Sequence, residues 1–228
     1  MKGENSMQRT SQKTGMPGGT LSILGDSYST FEGCIPEGQA TYYPRPENVP
    51  DVLAVEDTWW WQLAQDRRLR ILVNDSYSGS TVCAHVRDGQ PPESAFIARM
   101  HRSLSRAGIG GEQPDVIILF GGTNDSWLDR EIGRVQTDGW SEEDLHRVLP
   151  AYCRLVSYVK QHNPQARVLC VVNDILKPEI RSGLLLAARH YGAEPVALTG
   201  IDKACGHPTR LGMRQIAGQI GQALDARP

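Results

Sequence analysis

The sequence has no run close to the ~20 consecutive apolar residues that a bilayer-spanning helix requires. It has almost no net charge, with 24 Lys and Arg against 26 Asp and Glu. That balance gives no electrostatic reason to expect nucleic acid or an anionic membrane as a partner. Cysteine is sparse and scattered, at positions 34, 83, 153, 170 and 205, with no C-x-x-C pair. Neither a disulfide framework nor a zinc ribbon follows from such spacing. There is no G-x-S-x-G elbow, no Walker A motif, no H-E-x-x-H, and no G-x-G-x-x-G after the first apolar run. An ordinary α/β-hydrolase, a P-loop enzyme, a zinc protease and a dinucleotide-binding domain are therefore disfavoured, and no metal or nucleotide cofactor is implied. Residues 1–19 are polar and lack the apolar segment of a secretory signal. They read as a disordered tail. A cytoplasmic location is then the default expectation, although a cleaved leader would leave the same record.

What is present is a repeated alternation of two patterns. Short apolar runs occur at Leu21–Leu24, Ile71–Val73, Val116–Phe120, Val168–Val172 and Pro195–Leu198. Several are β-branched and continuous, as buried parallel strands are. Between them lie helical patterns, predicted over Thr58–Asp66, Glu93–Ala107, Ser141–His162, Glu179–Tyr191 and Arg210–Ala223. The third opens on Ser-Glu-Glu-Asp, a capping-box pattern. Strand and helix in alternation predict an α/β domain whose parallel sheet is covered on both faces. No repeat or composition break divides residues 20–228, which read as one domain. Two connections, Phe31–Glu56 and Ser126–Trp140, are long enough to suggest function.

The apolar runs end in small polar clusters. The first gives Gly25-Asp26-Ser27-Tyr28, the second Asn74-Asp75-Ser76-Tyr77-Ser78-Gly79, and the third Gly121-Gly122-Thr123-Asn124-Asp125. In an open α/β sheet, ligands bind at the carboxyl ends of the strands. These clusters would converge on one edge, joined by Gly206-His207-Pro208 just before the last helix. Each motif alone is ordinary turn chemistry. Their joint order resembles the SGNH (GDSL) hydrolases, named for their Ser, Gly, Asn and His, from Thr20 to about Leu224. The resemblance implies a flavodoxin-like three-layer α/β/α sandwich with five parallel strands in the order 2-1-3-4-5.

It also implies an ester hydrolase that works through an acyl-serine. Ser27 would be the nucleophile and His207 its general base. The oxyanion would be held by the backbone N–H groups of Ser27 and Gly79 and the side-chain amide of Asn124. Gly79 would serve further by letting the substrate approach closely. Asp26 and Asp125 read as supporting residues, and Tyr28 and Trp127 as the substrate rim. One departure stands out: the family's acid, three residues before the His, is Ala204 here. Asp202 is the favoured substitute; Asp174, or a backbone carbonyl serving a Ser–His dyad, are the alternatives. The family does not fix the substrate. The absence of a long apolar lid favours a short-acyl ester, with an O-acetyl group on a carbohydrate as the leading instance. The competing reading is a non-catalytic carbohydrate- or ligand-binding protein that has kept the fold. Nothing in the sequence indicates an oligomeric state.

Overall fold

Each apolar run becomes a strand in the computed structural model of the chain, which describes residues 18–47, 51–104 and 112–226. The strands are β1 (Thr20–Gly25), β2 (Arg70–Ser76), β3 (Val116–Phe120), β4 (Arg167–Val172) and β5 (Glu194–Ala197). All pair in parallel, in the order β2-β1-β3-β4-β5. Helices α1 (Trp59–Arg67), α2 (Phe96–Leu104), α3 (Thr123–Trp127), α4 (Val148–His162), α5 (Pro178–His190) and α6 (Arg210–Asp225) complete the layers. A small antiparallel pair, β6 (Lys203–Ala204) and β7 (His207–Pro208), precedes α6. All but two residues of the expected tail at 1–19, and the expected continuation of α2 to Ala107, lie outside the described residues.

Strand side chains alternate between two cores. Leu21, Ile23, Ile118 and Val171 face α1 and α6, where Trp59, Leu63, Met213 and Ile216 are buried with them. Leu24, Ile117, Leu119 and Cys170 face α2, α4 and α5. Two-sided burial accounts for the uninterrupted apolar character of β3, whose five residues are all buried. Each such Leu, Ile or Val contributes about 1.5–3 kcal/mol by leaving water.

One helix boundary differs from expectation. The Ser141 capping box forms, with the Ser141 N–H donating to Asp144 Oδ2 at 2.9 Å and the Asp144 N–H to Ser141 Oγ at 3.3 Å. It closes only a 3-10 turn over Asp144–His146, because Arg147 is extended at φ −103° and ψ 144° and α4 starts afresh at Val148.

The sheet positions the site. β2 lies on one side of β1 and β3 on the other, so the direction in which successive strands are added to the sheet reverses at β1. The carboxyl ends of these strands diverge there and open a crevice.

Candidate active site

β1 ends at Gly25, and the chain turns at once into a 3-10 turn over Ser27–Ser29. Asp26 caps that turn, its Oδ1 accepting the Tyr28 N–H at 3.1 Å. The turn carries Ser27 to within 3.0 Å of His207, Oγ to Nε2. The other imidazole nitrogen, Nδ1, lies 3.3 Å from the carbonyl oxygen of Cys205. A carbonyl can only accept, so Nδ1 carries the proton and Nε2 is left to accept from the Ser27 hydroxyl. This is the tautomer a general base for Ser27 needs. Burial pushes the imidazole pKa down to about 4; the Cys205 carbonyl works against that shift and the Arg45 charge adds to it.

The support of His207 differs from the favoured expectation. Asp202 does not hold it. Residues 203–208 form a hairpin in which Ala204 pairs with His207 and Lys203 with Pro208. The turn residues are Cys205 and Gly206, both with positive φ (48° and 78°), as a type I′ turn requires. One residue beyond the Lys203–Pro208 pair, Asp202 meets Thr209: the Thr209 N–H donates to the Asp202 carbonyl at 3.1 Å. The Thr209 hydroxyl donates to the Asp202 carboxylate. Asp202 thus steadies Thr209, the N-cap of α6. Asp174 is engaged elsewhere, accepting from Lys203 Nζ and from the Ile201 N–H at 2.9 Å. The group on Nδ1 is the backbone carbonyl.

Gly79 follows β2 with φ +83°, and a Cβ there would collide with Gln90 Nε2, which donates to the Ser78 carbonyl at 2.7 Å. Both the left-handed backbone conformation and the nearness of Gln90 favour glycine at this position. The Asn124 amide, at the start of α3, donates to the Ser80 carbonyl at 3.0 Å. An amide nitrogen has two hydrogens, so the second remains for a ligand. Among the described residues the backbone N–H groups of Ser27 and Gly79 donate to no protein group.

Asp125 fastens this arrangement from below. Its buried carboxylate accepts the N–H groups of Val82, at 2.8 Å, and Cys83, at 3.2 Å, tying the segment after Gly79 to α3. Burial raises its pKa. Asp26 is fully buried too and is pushed up to about 7, by desolvation above all. The sequence reading missed Arg99. Its guanidinium, wholly buried on α2, donates to the Gly25 carbonyl at 3.0 Å, to Ser80 Oγ at 2.9 Å and to Asp75 Oδ1 at 3.2 Å. It pins together the ends of β1 and β2 and the segment carrying Gly79. The available signal was an arginine on the apolar stripe of Phe96 and Met100.

Tyr28 is not at the rim. It is fully buried, edge-on to Phe120 at 5.8 Å, and its hydroxyl donates to the Gly206 carbonyl. Tyr43 does the same on the other side of the base, donating to the Pro208 carbonyl at 2.8 Å. Two tyrosines therefore hold the backbone on either side of His207. Trp127 is rim-like, 45% exposed with its ring centroid 5.5 Å from the imidazole. Tyr42, nearly buried, stacks on the imidazole with centroids 3.6 Å apart and planes 6° from parallel.

The profile of the GDSL-like Lipase/Acylhydrolase family matches residues 19–224. A candidate GDSL-like lipase from Bacteroides uniformis has a crystal structure similar to this chain at 40% identity and TM-score 0.81, covering 90% of this chain and 94% of that one. Another, from Bacteroides ovatus, is 35% identical at TM-score 0.81 and covers 90% and 96%. A family two carbohydrate esterase from Clostridium thermocellum, solved with cellohexaose, shares the fold at 16% identity and TM-score 0.58, covering 93% and 65%. Among curated protein sequences, none matches the chain. With the five-stranded 2-1-3-4-5 sheet in place and the family profile spanning nearly the whole sequence, the chain belongs to the GDSL-like lipase/acylhydrolase family and is an ester hydrolase of the SGNH type.

Proposed function

We propose that the chain hydrolyses a short-acyl ester, an O-acetyl group on a carbohydrate being the favoured instance, through an acyl-serine formed by a Ser27–His207 dyad. The observation that carries the dyad is the pair of bonds on one imidazole, Nε2 on Ser27 Oγ at 3.0 Å and Nδ1 on the Cys205 carbonyl. In the first step His207 takes the Ser27 proton as Oγ attacks the ester carbonyl. The oxyanion is met by the N–H groups of Ser27 and Gly79 and the second hydrogen of the Asn124 amide. The imidazolium then protonates the leaving alcohol, and water, deprotonated by the neutral imidazole, releases the acid.

Two observations support the short acyl group. Among the described residues the exposed large apolar side chains are Leu53, Trp127, Ile175, Leu186 and Leu211, and of these Trp127 stacks edge-on against His207. Exposed apolar side chains of this size are scattered rather than gathered at the base, which suits a small acyl group better than a long alkyl chain. A lone exposed indole at the rim also suits a sugar ring, and a distant fold neighbour was solved with cellohexaose. The test is labelling with a serine-directed fluorophosphonate, followed by rates on p-nitrophenyl esters of increasing chain length. Labelling of wild type but not of Ser27→Ala, with the highest kcat/KM on the acetate, is expected. No labelling would point to the non-catalytic binder, and a preference for C8 or longer would refute the short acyl group.

A further inference from the structure

We infer that Tyr42 is a positioning residue for the base, its ring face holding the His207 imidazole in the plane that an acid fixes in a Ser-His-Asp triad. The inference rests on the Ser27–His207 reading given above. An imidazole that is to accept from Ser27 must be kept from rotating about its Cβ–Cγ bond. The single hydrogen bond on Nδ1 is long at 3.3 Å, at the weak end for N–H···O. It cannot by itself set the ring plane. The stack can: with centroids 3.6 Å apart and 6° between planes, any large rotation drives the imidazole edge into the phenol ring. Trp127, edge-on at 5.5 Å, limits the imidazole further.

Tyr42 is also tied to the nucleophile. Its N–H donates to Thr30 Oγ1 at 2.9 Å, and that hydroxyl donates to the Ser27 carbonyl at 3.0 Å. Two residues earlier, the Ala40 carbonyl accepts the Ser78 N–H at 2.8 Å, beside Gly79. One short stretch of the loop after β1 thereby registers nucleophile, base and oxyanion segment against one another. Among the described residues, the titratable and charged groups placed against the imidazole are Tyr28 from the nucleophile turn and Tyr42, Tyr43 and Arg45 from this loop, and the hairpin contributes the Cys205 backbone carbonyl. No carboxylate is among them. Arg45 also lies over the Tyr42 ring, its Cζ 5.2 Å from the centroid, which steadies the ring from the loop side.

The experiment compares Tyr42→Phe with Tyr42→Leu in the full chain, measuring kcat and KM on p-nitrophenyl acetate and the rate of fluorophosphonate labelling. Phenylalanine keeps the flat face and should keep kcat. Leucine keeps buried volume without the face, and should lower kcat and labelling by about 10²-fold with KM little changed, the cost of an imidazole displaced by about an ångström. Where leucine fails to fold, Tyr42→Met carries the same comparison. A leucine or methionine variant with wild-type kcat overturns the inference. So does a phenylalanine variant that falls as far as leucine, because the hydroxyl rather than the face would then matter. A wild type that is not labelled at all overturns the Ser27–His207 reading itself, a distinct outcome.

Discussion

Ala204→Asp should convert the dyad into a triad, and the structure sets the size of the effect. Ala204 is paired directly with His207 across the β6–β7 hairpin. Side chains so paired share a face with Cβ atoms about 4.5–5.5 Å apart. A carboxylate placed there comes within about 4 Å of the imidazole, where opposite unit charges at an effective dielectric of 20 attract by about 4 kcal/mol. At 1.36 kcal/mol per unit this is about three pKa units. His207, now pushed down to about 4, would return to about 7. The neutral imidazole is the active base, so the sign is definite. The acid limb of kcat/KM should move upward, and the variant should lose activity relative to wild type near pH 5. On the alkaline plateau it should gain, because the carboxylate stabilises the imidazolium that forms in the transition state. The assay is kcat/KM for p-nitrophenyl acetate from pH 3.5 to 8.5. An acid limb that stays near pH 4 would refute the placement of Ala204 beside the base.

Asp202→Asn should leave kcat unchanged on the same substrate, because that carboxylate serves Thr209; its cost should appear as a melting point lowered by the equivalent of about 1 kcal/mol. A loss of several orders in kcat would restore Asp202 to the catalytic machinery. Asp26 is pushed up to about 7 from an ordinary 3.8, so between those values the folded chain holds a proton that the unfolded chain has released. Its contribution to stability is therefore lost as pH rises through 7. Asp26→Asn keeps the cap on Tyr28 without the charge, and its urea midpoint should gain on wild type between pH 5 and pH 8. An equal difference at both pH values would show that Asp26 is not protonated in the fold.

The layers were legible because each apolar run in this chain is buried on both sides. β3 reads Val-Ile-Ile-Leu-Phe and has no solvent face to interrupt it. Ser27, Gly79, Asn124 and His207 were legible as a set because the strand ends bring them to one edge. The support of the base was not. A backbone carbonyl carries no residue type, so nothing in Ala-Cys-Gly-His names it as the partner of Nδ1. Tyr28 was misplaced for a related reason: adjacency to Ser27 suggested the rim, but the turn directs it into the α1 and α6 side of the core. Tyr42 lies in the Phe31–Glu56 connection, whose length marked it as functional, but without periodicity no pattern there distinguishes a residue that stacks on the base from one that lines the rim. Arg99 was hidden by the expectation that arginine on a helix faces water, which its buried acceptors on Gly25, Asp75, Ser80 and Ser94 reverse.

The Cys205–Gly206 turn has a consequence for genetics. Its carbonyl does not titrate in the range where enzymes work, so the acid limb of activity should be governed by one ionisation rather than by two coupled ones. Nor can it be deleted by exchanging a side chain. An alanine scan of this chain would find no acidic side chain whose loss exposes the partner of His207 Nδ1. The residue sustaining the base could be reached only through its conformation, by substitutions such as Gly206→Val that the positive φ of the turn does not tolerate.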